Sequence, residues 1–214
     1  MGTVIEGMLE NAIKALVDRE SELIDHVIQQ DRVVDRMEVE IDEACHNLLA
    51  LKQPTAIDMR FLVSVMKITS DLERMGDSAV NIVLGAREVN KHPPPAEYVD
   101  LPRLSEMTRE MVRSALNAFV QRDAKLASRV CNSDDAVDAL YGKLFDELCE
   151  MMRENGKAVP RDLHLLLIAR NFERVADHAT NIAEDVIYYV EGQDIRHQQA
   201  ETGGEEENGR GHGS

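Results

Sequence analysis

The chain has 214 residues, of which 43% are hydrophobic but only 4% aromatic, and it contains no tryptophan. Its core must be built from Leu, Ile, Val, Met and Ala, which suit packing between helices better than sheets. The formal charge of −16, from 24 basic and 40 acidic residues, excludes the basic footprint that nucleic-acid binding requires. We therefore expect no nucleic acid among its main partners.

The apolar runs are all far shorter than a membrane span, and the first residues do not resemble a signal peptide. We expect a cytoplasmic protein without direct membrane insertion. The three cysteines, Cys45, Cys131 and Cys149, are odd in number and form no CxxC pair. They lie in apolar helical patterns, which indicates reduced thiols in a core rather than a zinc–thiolate site.

Apolar residues recur at three- and four-residue steps along the chain, which is the period of amphipathic helices. Pro54 and the pair Asn155-Gly156 predict turns, and Pro93–Pro95 predicts a stiff linker near the middle. The predicted helices are Val4–Gln29 (with a break near Asp18–Ser21 left open), Arg32–Lys52, Ala56–Asn90, Arg103–Arg129, Asp135–Glu154 and Arg161–Glu191.

The two halves of the chain repeat each other. A shift of 103 residues places Asp31 on Asp134, and in the last helix of each half a shift of 100 places Glu73 on Glu173. We therefore predict an all-α fold, a tandem repeat of two three-helix bundles with six helices. The predicted divisions are a first repeat over 1–92, a Pro-rich linker over 93–102, a second repeat over 103–191 and a disordered polar tail over 192–214.

Each repeat carries two pairs of acids spaced four residues apart, so that both members of a pair lie on one helix face. The pairs are mirrored about the predicted turns, Pro54 in the first repeat and Asn155-Gly156 in the second. Two antiparallel helices of equal rise would place the four carboxylates of each repeat opposite one another. The eight acids are Asp31, Asp35, Glu73 and Asp77, then Asp134, Asp138, Glu173 and Asp177.

Four ionised acids at the edge of a core require cations. A divalent or trivalent metal ion with oxygen ligands meets that requirement, and Asn81 and Asn181, one turn further along, could add amide oxygens. A plainer alternative stays open: Asp31 and Asp134 could be helix N-caps, while arginines neutralise the other acids in ordinary ion pairs. Those arginines are Arg32, Arg74 and Arg174.

The segments Gln53–Ile82 and Leu167–Val186 both contain the pattern ERxxDxxxNI. Together with the repeat, they resemble the signature of the PhoU family, and the likeness extends from about Met8 to Glu191. The resemblance implies tandem three-helix bundles, in agreement with the fold predicted above.

The resemblance also implies a function. PhoU proteins are cytoplasmic negative regulators of phosphate uptake and phosphate-starvation signalling that contact a phosphate ABC transporter and a sensor histidine kinase, often as homodimers. Some hold iron or zinc clusters at (D/E)xxxD pairs, which correspond here to the eight acids, and magnesium or manganese would suit the same oxygen ligands. Because His178 follows the second pair where the first has Ser78, we expect the two sites to differ.

Two other functions compete with this one. A ferritin-like di-iron oxidase needs two ExxH motifs on helices, and the chain has a single one, Glu43 to His46. The second is a helical adaptor whose acidic face docks a basic partner without metal. Since no GxSxG, P-loop or GxGxxG pattern occurs either, we predict no catalytic residue and a protein that is not an enzyme.

Overall fold

The computed structural model describes residues 1–94 and 100–192, and within them every regular element is a helix. This confirms the predicted all-α class and the count of three helices in each repeat. The helices are α1 (Gly2–Val17), α2 (Glu22–Lys52), α3 (Ala56–Val89), α4 (Leu101–Gln121), α5 (Ala124–Glu154) and α6 (Val159–Glu191).

The first turn of the first repeat lies at the break near Asp18–Ser21 that the sequence left open, and that of the second repeat lies earlier than the predicted helix end at Arg129. The chain reverses at Arg19 and Arg122, which both adopt left-handed backbone angles with φ of 57° and 54°. Neither is a glycine, so composition gave no warning of the turn. The polar stretches that suggested helix ends lie inside α2 and α5, because buried Val27 and Val34 continue one apolar stripe across the first of them.

The turns within the two hairpins lie where they were predicted. In the first, α2 ends at Lys52, and Thr55 begins α3 with a capping box in which its side chain accepts from the amide of Asp58. In the second, α5 ends before Asn155, and Pro160 occupies the first turn of α6. The α2–α3 and α5–α6 hairpins are thus fixed by local chemistry.

The two three-helix bundles join along α3 and α6, which make the most extensive contact in the molecule, while α1 packs against α4. Met75 and Phe172, one from each of the two central helices, are fully buried. A Cβ atom added at Gly85 would lie 2.8 Å from Cγ1 of Ile168, so the glycine permits a close approach of α3 to α6.

Buried polar pairs also cross the α3–α6 junction. Lys67 Nζ donates to Asp185 Oδ1 at 2.9 Å, and His178 Nδ1 lies 2.9 Å from Asp71 Oδ1. Since such pairs satisfy one another only in one alignment of the two helices, they fix the register between the bundles.

Parts of the predicted linker and tail lie outside the described residues. The structure gives no description of 95–99 or of 193–214, so the tail prediction is untested beyond Gly192. Leu101 and Pro102, assigned to the linker from the sequence, belong to α4 instead. Among the helices that are described, none is long and apolar enough to cross a membrane.

Candidate metal centre

The α2–α3 hairpin carries the first group of acids, with Asp31 and Asp35 on α2 and Glu73 and Asp77 on α3. Burial, with the charges of Asp35 and Asp77, raises the pKa of Asp31 to about 6. Burial and the charges of Asp77, Glu38 and Asp35 also raise the pKa of Glu73. The carboxylates of the two helices therefore face one another closely enough to oppose each other's ionisation.

Gly76 makes room for the innermost of these carboxylates. A Cβ atom on Gly76 would lie 3.0 Å from Asp31 Oδ1, so a larger residue would press on that oxygen. The same Oδ1 atom is buried and has no hydrogen-bond partner. A buried carboxylate oxygen without a donor is costly, and a bound cation would satisfy it.

The α5–α6 hairpin repeats this arrangement with Asp134 and Asp138 on α5 and Glu173 and Asp177 on α6. Burial, followed by the charges of Asp138 and Asp177, raises the pKa of Asp134. Burial raises the pKa of Glu173 as well, with Asp177 the next largest cause. Although Asp177 as a whole residue is exposed, desolvation of its carboxylate, assisted by Asp138, raises its pKa in the same direction.

Buried oxygens without partners occur in this second group too. Asp134 Oδ1 and Glu173 Oε2 are both inaccessible and unbonded. The Thr180 hydroxyl is near enough to influence Asp134, yet it is itself without a hydrogen-bond partner. Thr180 lowers the pKa of Asp134 as a hydrogen-bond donor would, without reaching hydrogen-bonding geometry, while Asp31 Oδ1 and Glu173 Oε2 have no hydrogen-bond partner.

The plainer alternative for Asp31 and Asp134 is wrong. Both residues lie in the interiors of α2 and α5, many residues from either end, so they cannot be N-caps. Of the arginines suspected of pairing with the acids, Arg74 and Arg174 act only at longer range, lowering the pKa of Glu73 and Asp177 respectively.

The two asparagines differ in their surroundings, and their part in a metal site stays a prediction. Asn81 is exposed on α3. Asn181 directs its amide Nδ2 to Asp71 Oδ1 across the α3–α6 junction, at 3.4 Å, instead of toward the second group of acids. Asn181 lies one turn beyond Asp177 on α6, as predicted, but its hydrogen bond crosses the junction between the two bundles.

Two charged residues beside the acids escaped the sequence analysis. Glu38 lies one turn beyond Asp35 on α2, and its own pKa is raised by burial and by the charges of Asp42 and Asp35. In the second hairpin, Arg170 NH1 donates to Glu173 Oε1 at 2.7 Å. Spacing along each helix could have indicated both, since Glu38 follows Asp35 by three residues and Arg170 precedes Glu173 by three.

The side chains as placed do not form a finished coordination sphere. Across residues 1–94 and 100–192, no three His, Cys, Asp or Glu side chains stand close enough together to hold a metal ion. The metal ligands offered beside the unbonded buried oxygens of Asp31 and Asp134 are mainly the carboxylates of their own groups, Asp35 and Asp77 in the first hairpin and Asp138 and Asp177 in the second. Burial, with Glu184 nearby, raises the pKa of the Cys131 thiol to about 11, so it does not supply a thiolate. The donor set fits hard, oxygen-seeking cations.

Comparison with known proteins agrees with the repeat and the fold. The PhoU domain family model matches residues 1–84 and 101–186. A Phosphate-specific transport system accessory protein PhoU homolog from Aquifex aeolicus is 40% identical over 205 residues, covering 96% of this chain and 93% of the relative. Another from Pseudomonas aeruginosa is 39% identical over 198 residues, covering 92% of this chain and 82% of the relative.

A solved structure with a similar sequence has the same fold. The crystal structure of PhoU from Pseudomonas aeruginosa superposes with a TM-score of 0.87 at 38% identity, covering 90% of this chain and 93% of that one. The relatives carry the names of accessory proteins rather than enzymes. With two matched domains, near-complete coverage and a shared six-helix fold, this chain belongs to the PhoU family.

Proposed function

We propose that this protein is a cytoplasmic negative regulator of phosphate uptake and phosphate-starvation signalling. It acts through contacts with a phosphate ABC transporter and a sensor histidine kinase, and it binds metal ions in both hairpins. Family membership supports the regulatory role, because the relatives are named as accessory proteins of the phosphate-specific transport system.

The buried carboxylate oxygens without donors are the observation that supports metal binding. They occur at the corresponding position of both hairpins, on Asp31 and on Asp134, with a further one on Glu173. Mutual repulsion of the acids destabilises the metal-free hairpins, and a cation would relieve it in both at once. Asp31, Asp35, Glu73 and Asp77 would hold metal in the first hairpin, and Asp134, Asp138, Glu173 and Asp177 in the second.

The carboxylates that face each other come from two different helices in each hairpin. Rotation of the exposed side chains Asp35 and Asp77 toward half-buried Asp31 would complete a coordination sphere from α2 and α3 together. When bound, the metal supplies a cross-link between oxygen ligands. We expect this to stiffen each hairpin and to fix the surface that it presents to partners. Iron, manganese and magnesium suit such ligands, whereas zinc more often takes nitrogen and sulfur.

A genetic experiment tests the regulatory role. Deletion of the gene should raise expression of phosphate-starvation genes in phosphate-rich medium, and the wild-type gene should restore repression. Replacement of the first group by D31N, D35N, E73Q and D77N tests whether repression needs that site. Normal repression in the deletion strain would contradict the proposed role.

A homodimer is also part of the proposal, by family resemblance. Sedimentation equilibrium of the full chain tests it directly, since a dimer has twice the mass of the 24.0 kDa chain. A single species at the chain mass over the micromolar range would contradict it.

The metal-free adaptor remains the second candidate, and one observation favours it: the described side chains form no finished coordination sphere. In that case the acids would dock a basic partner directly. The four neutral substitutions in the first hairpin would then weaken partner binding equally with and without chelator. The ferritin-like alternative has less support, because Glu43 and His46 are both exposed on α2 while the facing acids are elsewhere.

A further inference from the structure

The two hairpins differ in charge at two positions beside the facing acids. The internal repeat places Arg170 of α6 on Ser70 of α3, and Tyr141 of α5 on Glu38 of α2. The second hairpin therefore has a cation where the first has a hydroxyl. It has a neutral ring where the first has a carboxylate.

Arg170 is held against the second group of acids from two sides. Its NH1 atom donates to Glu173 Oε1 at 2.7 Å, and its guanidinium lies over the ring of Tyr141, 5.8 Å from the centroid. Glu173 is only 8% exposed, whereas the Arg170 side chain is 52% exposed. The arginine thus reaches in from solvent to neutralise a buried acid.

The influence of Arg170 extends beyond one carboxylate. Its charge lowers the pKa of Asp177 as well as that of Glu173, against the larger effect of burial on both. The first hairpin has no counterpart, because Ser70 carries no charge and Glu38 adds a further acid beside Glu73. Arg74 and Arg174 occupy equivalent positions in the two repeats and so do not distinguish them.

We infer that Arg170 is a built-in competitor for metal in the α5–α6 hairpin, so that the α2–α3 hairpin fills first and the α5–α6 hairpin only at higher metal concentration. The inference rests on the proposed metal binding and concerns its order. A metal ion that uses both oxygens of Glu173 must displace Arg170 from Oε1, and one that binds Oε2 alone lies close to the guanidinium charge. In either case Arg170 opposes binding, and it can return to solvent because its side chain is already half exposed. The protein would then respond over two separate concentration ranges of one metal.

Terbium(III) resolves the two sites, because it prefers oxygen ligands and emits when a nearby tyrosine ring is excited. Tyr141 lies beneath Arg170 and hence beside the second group of acids. We would titrate the chelator-treated full chain with Tb³⁺, following total binding by equilibrium dialysis and sensitised emission by fluorescence. The emission that Y141F abolishes reports the second hairpin alone.

In the wild type, we expect the first bound Tb³⁺ to be silent and the Tyr141-dependent emission to appear at higher concentration. R170S, which copies Ser70 of the first repeat, should shift the emission midpoint to about tenfold lower Tb³⁺ by removing the competing ion pair. E38Q should weaken the silent binding. R153S removes an exposed arginine that pairs with Glu150 at the end of α5, and it should leave both midpoints unchanged.

The failures are distinguishable. Emission that rises with the first equivalent of Tb³⁺ in the wild type, or an R170S midpoint equal to that of the wild type, would overturn the ordered filling while metal binding stands. Dialysis that detects no bound Tb³⁺ would overturn the ordered filling together with the proposed metal sites.

Discussion

The two repeats have nearly the same helices but different polar chemistry. The middle helices α2 and α5 both have 31 residues, and α3 and α6 have 34 and 33. The buried apolar stripes set these lengths, so they are preserved between the copies. Polar positions beside the stripes are free to diverge. The α5–α6 hairpin has a cation, Arg170, bonded to one of its acids, and the α2–α3 hairpin has an additional acid, Glu38.

The junction between the bundles shows the same divergence. Asp71 faces His178 and Lys67 faces Asp185. The residues that the repeat places opposite one another in the reciprocal positions are Asn171 with Ser78, and Leu167 with Gly85. One half of the junction therefore has polar pairs between the two helices, whereas in the other Asn171 and Ser78 bond within their own helices and Gly85 makes a close contact with Ile168. Two repeats of one unit can form an asymmetric interface, because each repeat needs only the residues that contact the other repeat and not the equivalents of its partner's residues.

The largest expected effect compares the two central helices at equivalent core positions. Phe172 of α6 is fully buried, and its counterpart Leu72 of α3 is 5% exposed. F172A should lower the free energy of unfolding by about 3–5 kcal/mol and L72A by about 2–4 kcal/mol, because the larger side chain leaves the larger cavity. Urea denaturation checks both. A greater loss of unfolding free energy in L72A would mean that the side chain on α3 contributes more to the core than its counterpart on α6.

A second prediction concerns pH in the metal-free protein. The folded-state pKa of Asp31, about 6, lies above its ordinary value of 3.8, so protonation favours the folded chain. This contribution is present at low pH and is lost as pH rises from about 4 to about 6. D31N is neutral throughout and should therefore gain stability relative to the wild type as pH rises.

Denaturation in chelator from about pH 4 to about pH 7.5 measures that difference. D134N, at the equivalent position of the second hairpin, should show the same direction, because the pKa of Asp134 is raised too. A constant difference between D31N and the wild type over this interval would show that neither burial nor the neighbouring acids raise the pKa of Asp31 in solution.

A smaller effect is expected at the junction. D71N weakens the contact with His178 and turns an acceptor for Asn181 into an amide, so it should cost about 1–2 kcal/mol. The control is N171A at the counterpart position, which removes an amide that bonds only to the Leu167 carbonyl of its own helix. It should cost less than about 0.5 kcal/mol. Equal losses of unfolding free energy in the two variants would contradict the proposed asymmetry of the junction.

The smallest effect distinguishes the hairpin turns. Thr55 caps α3 with a hydrogen-bonded box, whereas Ala158 begins α6 without a side-chain cap. T55A makes the first turn resemble the second and should lower the melting temperature by about 2–4 °C. Scanning calorimetry provides the measurement. An unchanged melting temperature would show that the Thr55 cap does not contribute to the stability of the fold.

The comparison also shows which features a sequence can predict. Pro54 and Asn155-Gly156 mark turns through backbone chemistry that is local, and the structure places turns at both. The reversal at Arg19 lies within the break near Asp18–Ser21 that the sequence left open, whereas the one at Arg122 was missed, because an arginine with left-handed backbone angles gives no sign of a turn in the sequence. The pattern located the start of α3 at Ala56, beside a turn marked by proline, but not the starts of α2 and α5.

The candidate site likewise has features that the sequence predicts and features that it does not. The mirrored spacing of acids depends only on helical rise, and the raised pKa values of Asp31 and Asp134 indicate that facing acids do influence one another. The direction of a long side chain depends on its neighbours in space. For that reason the hydrogen bond from Asn181 to Asp71, which joins two distant helices, did not follow from the spacing, whereas that from Arg170 to Glu173 joins neighbours three residues apart and could have been predicted.

Metal content tests the central claim most directly. The full chain, purified without chelator, would be analysed by inductively coupled plasma mass spectrometry beside a variant that carries D31N, D35N, E73Q and D77N. We predict bound metal in the wild type and loss of the first-hairpin portion in the variant, with helical content unchanged. Wild-type protein that carries no metal, and that takes up neither Fe²⁺ nor Mn²⁺ on dialysis, would contradict the account.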